Sequence, residues 1–245
     1  MLMVVRTVDR TLKMFETFAE YGKPMTLSEL ARLLDIPTST CFGLIRTLIG
    51  SGYLYEVGGR KTYYPTSKWL IKARQIEGKD PVKDQLRPYM AKLRDLTGET
   101  VVLSKRLSDC IVYLGLAEST HSIRYNASVG DLKPLHSTSS GKALLSVLPE
   151  EERSALVTRL RGSGGGRIPP AQRAQLLEEV AGSMKRGWFV GRGENVIDVM
   201  GVAAPVYVAG DALSIAIAGP RNRMEPKLHA HAKQLIWTCK TLLTR

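Results

Sequence analysis

The chain has 245 residues, a length comfortable for two domains that each bury their own core, and is 44% hydrophobic and 24% charged. No apolar run nears the roughly eighteen residues of a membrane span, and the start lacks a basic-apolar-small signal pattern, so a cytoplasmic protein without a membrane partner is expected. The three cysteines, Cys41, Cys110 and Cys239, are odd in number and far apart, which argues against a disulfide framework or a zinc motif and predicts small buried hydrophobes.

The net charge of +12 invites a nucleic-acid reading, but its distribution weakens it. Residues 1–66 carry eight Lys/Arg against six Asp/Glu, a balance of +2; residues 67–79 add +3, and residues 80–245 hold the remaining +7. The motifs must carry the argument instead.

Val8, Leu12, Phe15, Phe18 and Ala19 share one face of a first predicted helix, which stops at Tyr21-Gly22-Lys23-Pro24. A second helix opens on Thr26-Leu27-Ser28-Glu29, the spacing of a capping box, with Leu27, Leu30, Ala31 and Leu34 inward. After the tight Asp35-Ile36-Pro37 link, a third helix runs from Thr38 to Ile49. Its Cys41, Leu44, Ile45 and Leu48 recur at i, i+3, i+4 and i+7 and face inward, which turns Ser39, Gly43 and Arg46 outward with Phe42 and Thr47 beside them. A hairpin follows, Tyr53–Val57 and Thr62–Tyr64, with its tip at Gly58-Gly59-Arg60-Lys61. Helix, helix, tight turn, helix and hairpin is the order of a winged helix-turn-helix over residues 1–66.

That order suits DNA. Thr38, Ser39 and Thr40 place hydroxyls and a helix N-terminus where phosphate would lie, and Arg46 reaches either a guanine edge or the backbone. Gly43 costs about 1 kcal/mol against alanine in mid-helix. Either it lets the helix approach DNA closely, or it stands where packing sets no constraint. Arg60 and Lys61 at the wing tip read as phosphate or minor-groove contacts, or as an ordinary solvated tip.

Residues 67–79 read as a linker helix with Trp69, Leu70, Ala73 and Ile76 along one side. From Asp80-Pro81 a further helix buries Leu86, Met90, Leu93 and Leu96. Strands are expected at 100–104, 110–116, 122–126, 202–208 and 213–218, and helices at 141–147, 150–160, 170–186 and from 226 onward, with a flexible loop at Gly162 to Gly166. This mixture makes 80–245 an α+β domain with an antiparallel sheet. Within it Ser137-Thr138-Ser139-Ser140-Gly141-Lys142 is a hydroxyl-rich run opening onto a helix: either a cluster of free amides suited to a carboxylate or an ordinary serine cap. Ser139-x-x-Lys142 also has the spacing of a lysine-based serine hydrolase, and such an enzyme with an accessory winged helix is the rival reading. No Lys-Thr-Gly or Ser-Asp-Asn completes that site, and the expectation is no enzyme, cofactor or metal.

Together these residues resemble the IclR family of transcription regulators. The likeness rests on Thr26–Ala31, Ile36–Thr40, Leu44–Leu48 leading to Gly52-Tyr53, Leu96–Val101, Gly130–Lys142, Ala203–Val206 and Gly219-Pro220. It implies a winged helix-turn-helix, a linking helix and a GAF-like effector domain, acting as a homodimer or homotetramer on a palindromic double-stranded operator and answering to a small-molecule effector. Two departures stand out. Gly43 occupies a place where members commonly carry arginine, and Arg46 one turn later takes over part of that role. The family pattern for small oxo-acids matches Ser139, Ser140 and Gly141 at the helix start and reaches Gly201, but Gly191 replaces an aspartate and Ala216 and Ala218 replace two serines. The resemblance thus implies an effector carboxylate at the helix end and an enlarged apolar far end able to take an aromatic acid, unless neighbours close over the alanines.

Overall fold

The computed structural model describes residues 5–59, 61–77, 80–162 and 165–243. Arg60, the end of the expected linker at 78–79, the middle of the glycine loop at 163–164 and the chain's last two residues lie outside the described residues. The chain divides into two compact units, one up to Asp80 and one from Pro81.

In the first unit, helix α1 (Arg6–Tyr21), strand β1 (Met25–Thr26), helices α2 (Leu27–Leu33) and α3 (Thr38–Gly50), strands β2 (Leu54–Val57) and β3 (Thr62–Pro65) and helix α4 (Lys68–Glu77) follow in order. The capping box is complete: Glu29 N donates to Thr26 Oγ1, and Thr26 N donates to Glu29 Oε2 at 2.8 Å. Cys41, Leu44, Ile45 and Leu48 of α3 join Met14, Phe18, Leu30, Leu54 and Tyr63 in one core, as the helical spacing predicts. The two-residue strand β1 was not foreseen; it pairs with β3 and makes the wing a three-stranded sheet in the order β1-β3-β2. Two predicted apolar faces need correcting. Phe18 of the predicted α1 face is buried and Phe15 partly so, but Val8, Leu12 and Ala19 are exposed, because α1 turns Met14 inward beside Phe18. Leu70 and Ile76 of α4 are also exposed, and only Trp69 packs, between Phe15 and Tyr53.

The second unit opens with helix α5 (Pro81–Thr97), whose Leu86, Met90 and Leu93 are buried while Leu96 is not. Strands β4 (Thr100–Leu107), β5 (Cys110–Ala117) and β6 (Leu132–Pro134), helices α6 (Ser139–Ser146), α7 (Glu150–Arg159) and α8 (Pro170–Arg186), strands β7 (Phe189–Arg192), β8 (Val199–Val208) and β9 (Asp211–Pro220), and helices α9 (Arg221–Met224) and α10 (Leu228–Leu243) complete it. Six strands form one antiparallel sheet in the order β6-β5-β4-β9-β8-β7. The strand expected at 122–126 is instead a bend at Ser122 and Ile123 followed by chain outside any ladder, and the edge partner of β5 is β6.

Alternation along the strands builds two cores. Leu213, Ile215 and Ile217 of β9 face α5 and α10. Ala216 and Ala218, with Ala203 of β8, face α6. That second face is a floor of small residues, and α6 lies on it with Ser139 to Leu145 all buried. Thr26→Ala should cost the first unit about 1 kcal/mol through the lost cap. Denaturant unfolding followed through Trp69, with Trp188 and Trp237 replaced by Phe, measures it.

Candidate functional site

On the first unit the buried set of α3 fixes what faces out. Thr38, Ser39, Phe42, Gly43 and Arg46 are exposed and Thr40 is half-buried. The Arg46 guanidinium sits over the Phe42 ring, 5.8 Å from its centroid, so the two side chains form one projecting group. A Cβ added at Gly43 would meet nothing, so packing within the chain does not ask for glycine there. Lys61 is exposed at the hairpin tip, where Gly58, Gly59 and Lys61 all take the left-handed conformation. No side chain of α3's outer face is committed to an ion pair among the described residues.

On the second unit the start of α6 is the chemical centre. Its N-cap Thr138 accepts a hydrogen bond from Gly141 N through Oγ1 and donates from it to the Pro134 carbonyl. The amides of Ser139 and Ser140 have no partner among the described residues, although both residues are buried. A buried helix end with orphan donors carries a positive potential that an anion would satisfy.

Beside it lies a cavity of about 40 Å³. Ser139 and Gly201 border it, and the Ser139 hydroxyl sits so close over Gly201 that a Cβ there would come to 2.6 Å from it. Tyr113, Tyr125, Gly191, Glu194 and Val199 supply other walls. The two tyrosine hydroxyls meet at 3.2 Å, and burial first, then the neighbouring Tyr125, pushes the Tyr113 phenol well above its ordinary pKa, so it stays a hydrogen-bond donor.

The structure corrects part of the expected effector set. Gly141 gives its amide to Thr138, and a Cβ at that position would collide with the Leu135 backbone, so its glycine serves close packing. Ser140 is buried but does not border the cavity. Ala216 and Ala218 are not among the residues that border it: they form the floor under α6, in the same apolar cluster as Tyr113 and Tyr125.

Three residues outside the expected set shape the site. Lys142, 2% exposed, spends its donors on the Val190 carbonyl at 3.0 Å and on Glu179 Oε1 and Glu194 Oε1, each at 2.9 Å. An ammonium held this way is no base for Ser139, which removes the geometry the hydrolase reading needs. Glu194 and Ser137 also border a second, larger cavity of about 320 Å³, together with His136, Gln172, Gln175 and Leu176. Burial first, and then Lys142, lowers the His136 pKa, partly offset by Glu194. Glu194 takes up the room that Gly191 leaves: a Cβ at Gly191 would stand 3.3 Å from its Oε2. Sequence offered little sign of this, since Glu194 sits in a loop three residues past the departure it fills.

Comparison with known proteins places these features in context. The family description "Bacterial transcriptional regulator IclR C-terminal" matches residues 76–242, and "IclR helix-turn-helix domain" matches residues 7–58. The HTH-type transcriptional repressor AllR of Escherichia coli (strain K12) is 26% identical over 225 residues, covering 89% of this chain and 82% of its own length. AllR of Salmonella typhimurium is 27% identical, covering 89% and 81%. Both relatives are described as transcriptional repressors. Among solved structures, Thermotoga maritima IclR superposes with a TM-score of 0.75 at 21% identity, over 98% of each chain. An IclR homologue of Microbacterium hydrocarbonoxydans, solved with 4-hydroxybenzoate, gives 0.74 at 19% identity, over 97% of this chain and 98% of its own.

Gly141→Ala should fold poorly, because its Cβ meets backbone that cannot yield. Gly201→Ala should fold with the cavity closed, since its Cβ meets the Ser139 hydroxyl, which can rotate. Thermal melts of both variants distinguish the two roles, and equal destabilisation would contradict them.

Proposed function

Because the chain belongs to the IclR family of bacterial transcription regulators, we propose that it is a ligand-responsive regulator whose α3 reads the major groove of a roughly palindromic operator. It acts as a homodimer or homotetramer, since a two-fold operator needs two winged helices. Thr38, Ser39 and Thr40 at the helix start address phosphate, Arg46 with Phe42 reaches base edges, and Arg60 and Lys61 hold the flanking backbone. The observation that carries this reading is the outward face of α3, polar and uncommitted above a fully buried opposite face.

The effector is a small carboxylic acid held at the free amide and the hydroxyl of Ser139, against Gly201, at the helix start where the Ser140 amide adds to the positive potential. Size argues for few atoms: an apolar cavity that takes up benzene has about 150 Å³, and this one has about 40 Å³. An aromatic acid such as the one bound by the Microbacterium homologue would have to part Glu194 from Lys142 and join the two cavities.

A gel-shift on the DNA upstream of the chain's own gene, with and without small acids, tests the whole reading. Arg46→Ala should cost about 1–3 kcal/mol of operator binding and relax the preference at one base per half-site. Gly43→Ala should stabilise the helix by about 1 kcal/mol yet weaken operator binding, because the methyl intrudes on the DNA. Affinity should fall moderately with salt as phosphate contacts release counterions. Unchanged operator affinity in both variants, with a flat salt response, would remove α3 from the interface.

A further inference from the structure

The anion pole of the cavity has an opposite pole beside it. Ser139 N and Glu194 Oε2 both crowd the bare α-carbon of Gly191: the point where a Cβ would stand is 3.1 Å from the amide and 3.3 Å from the carboxylate oxygen. The cavity thus joins a donor-rich helix end to an acceptor-only group within a space of about 40 Å³. The Ser139 hydroxyl, on a residue 6% exposed, has no hydrogen-bond partner among the described residues and faces the same space.

Glu194 keeps acceptor directions free after its own contacts are made. Lys142 Nζ divides its charge between Glu194 Oε1 and Glu179 Oε1, so two carboxylates share one ammonium. Glu194 Oε2 accepts one further bond, from Arg192 N at 3.1 Å, and a carboxylate has about four acceptor directions across its two oxygens. Arg186 and Arg192 border Glu194 on the outer groove they form with Glu178 and Glu179, and neither borders the cavity. A plain carboxylate entering the cavity would therefore meet the Ser139 amide on one side and the like charge of Glu194 on the other.

We propose that the effector is a small zwitterion or amide-bearing acid, whose carboxylate lies on the Ser139 amide and hydroxyl while an adjoining ammonium or amide N–H donates to Glu194. This rests on the effector site proposed above and makes Glu194 its specificity-determining residue. A charge-assisted hydrogen bond in a shielded site repays the donor and removes the repulsion that an oxo-acid leaves in place. Glycine, the smallest molecule that carries both groups, is the probe that tests the class.

Calorimetric titration of the full-length protein with glycine and with glyoxylate, two acids of equal carbon number, reads the preference directly. Wild type should bind glycine at least about tenfold more tightly than glyoxylate. Glu194→Gln should abolish or reverse that preference, since its amide keeps the size but supplies a donor where the ammonium needs an acceptor. Glu194→Asp, which keeps the charge, should retain a glycine preference and guards against misreading a folding defect. Tighter binding of glyoxylate by wild type, or an unchanged ratio in Glu194→Gln, overturns the inference and leaves the carboxylate site standing. Wild type that binds neither acid overturns both.

Discussion

Helix α6 is buried on every side, and most of the second unit follows from that constraint. A helix has four orphan amides at its start and a macrodipole that places positive potential there. On a surface helix water would serve both. Here the helix lies on Gly201, Ala203, Ala216 and Ala218, beneath α7 and α8, so the protein must supply the partners. Thr138 serves one amide, the tight Leu135–Gly141 approach leaves no room for a solvent layer, and of the two amides without a partner among the described residues, that of Ser139 belongs to a residue bordering the cavity. The small residues of the floor are the condition for this packing, because larger side chains on β8 and β9 would lift α6 away from the sheet.

The same burial decides the fate of Lys142. Its position on α6 puts the ammonium inside, where an unpaired charge would cost about several kcal/mol. Three acceptors compensate it: a carbonyl of β7, a carboxylate of α8 and a carboxylate of the loop after β7. The ion cluster therefore ties three segments to α6, and one of them carries a wall of the cavity. Stability and recognition are thus served by one side chain, Glu194, whose Oε1 holds the lysine and whose Oε2 stands beside the helix end.

How much of this the sequence foretells depends on the range of the interaction. The first unit is written in local signals: the Thr26/Glu29 box and the periodic Cys41, Leu44, Ile45 and Leu48 define α2, α3 and the face left outside. The family likeness on those blocks and on Gly130–Lys142 agrees with the matched family descriptions. Where the reading fails, the deciding contact is remote. Val8 and Leu12 fit an apolar stripe, but Met14 and Phe18 win the core because the wing packs on their side. The residues at 122–126 alternate like a strand, yet β5 finds its edge partner in β6 instead. Ala216 and Ala218 look like room gained, since a missing hydroxyl is visible in sequence and the helix pressing on it is not. Tyr113, Tyr125 and Glu194 come from separate segments that only the fold brings together at one cavity.

The size of the cavity also bears on how a regulator of this kind can respond. A ligand shifts a two-state balance only by its difference in affinity between the states. Moving a population from 1:99 to 99:1 takes about 5.5 kcal/mol. A two-carbon acid has about five heavy atoms, and at a ceiling of about 1.5 kcal/mol per atom its whole binding energy is about 7 kcal/mol. Such an effector must spend most of its affinity on discriminating between states, so its contacts have to change almost completely from one to the other. Peripheral walls that merely surround the ligand would bind both states alike and contribute nothing to the switch. The groups best suited to differ are those the ligand touches directly and that are held by long-range partners: the Ser139 amide and hydroxyl, fixed by the seating of α6, and Glu194, fixed by Lys142. A shift of α6 against β8, or of the loop after β7 against α8, alters both poles at once. On that argument the proposed acid acts through the Lys142 cluster, because this cluster joins the two poles of the site to the segments whose arrangement can change.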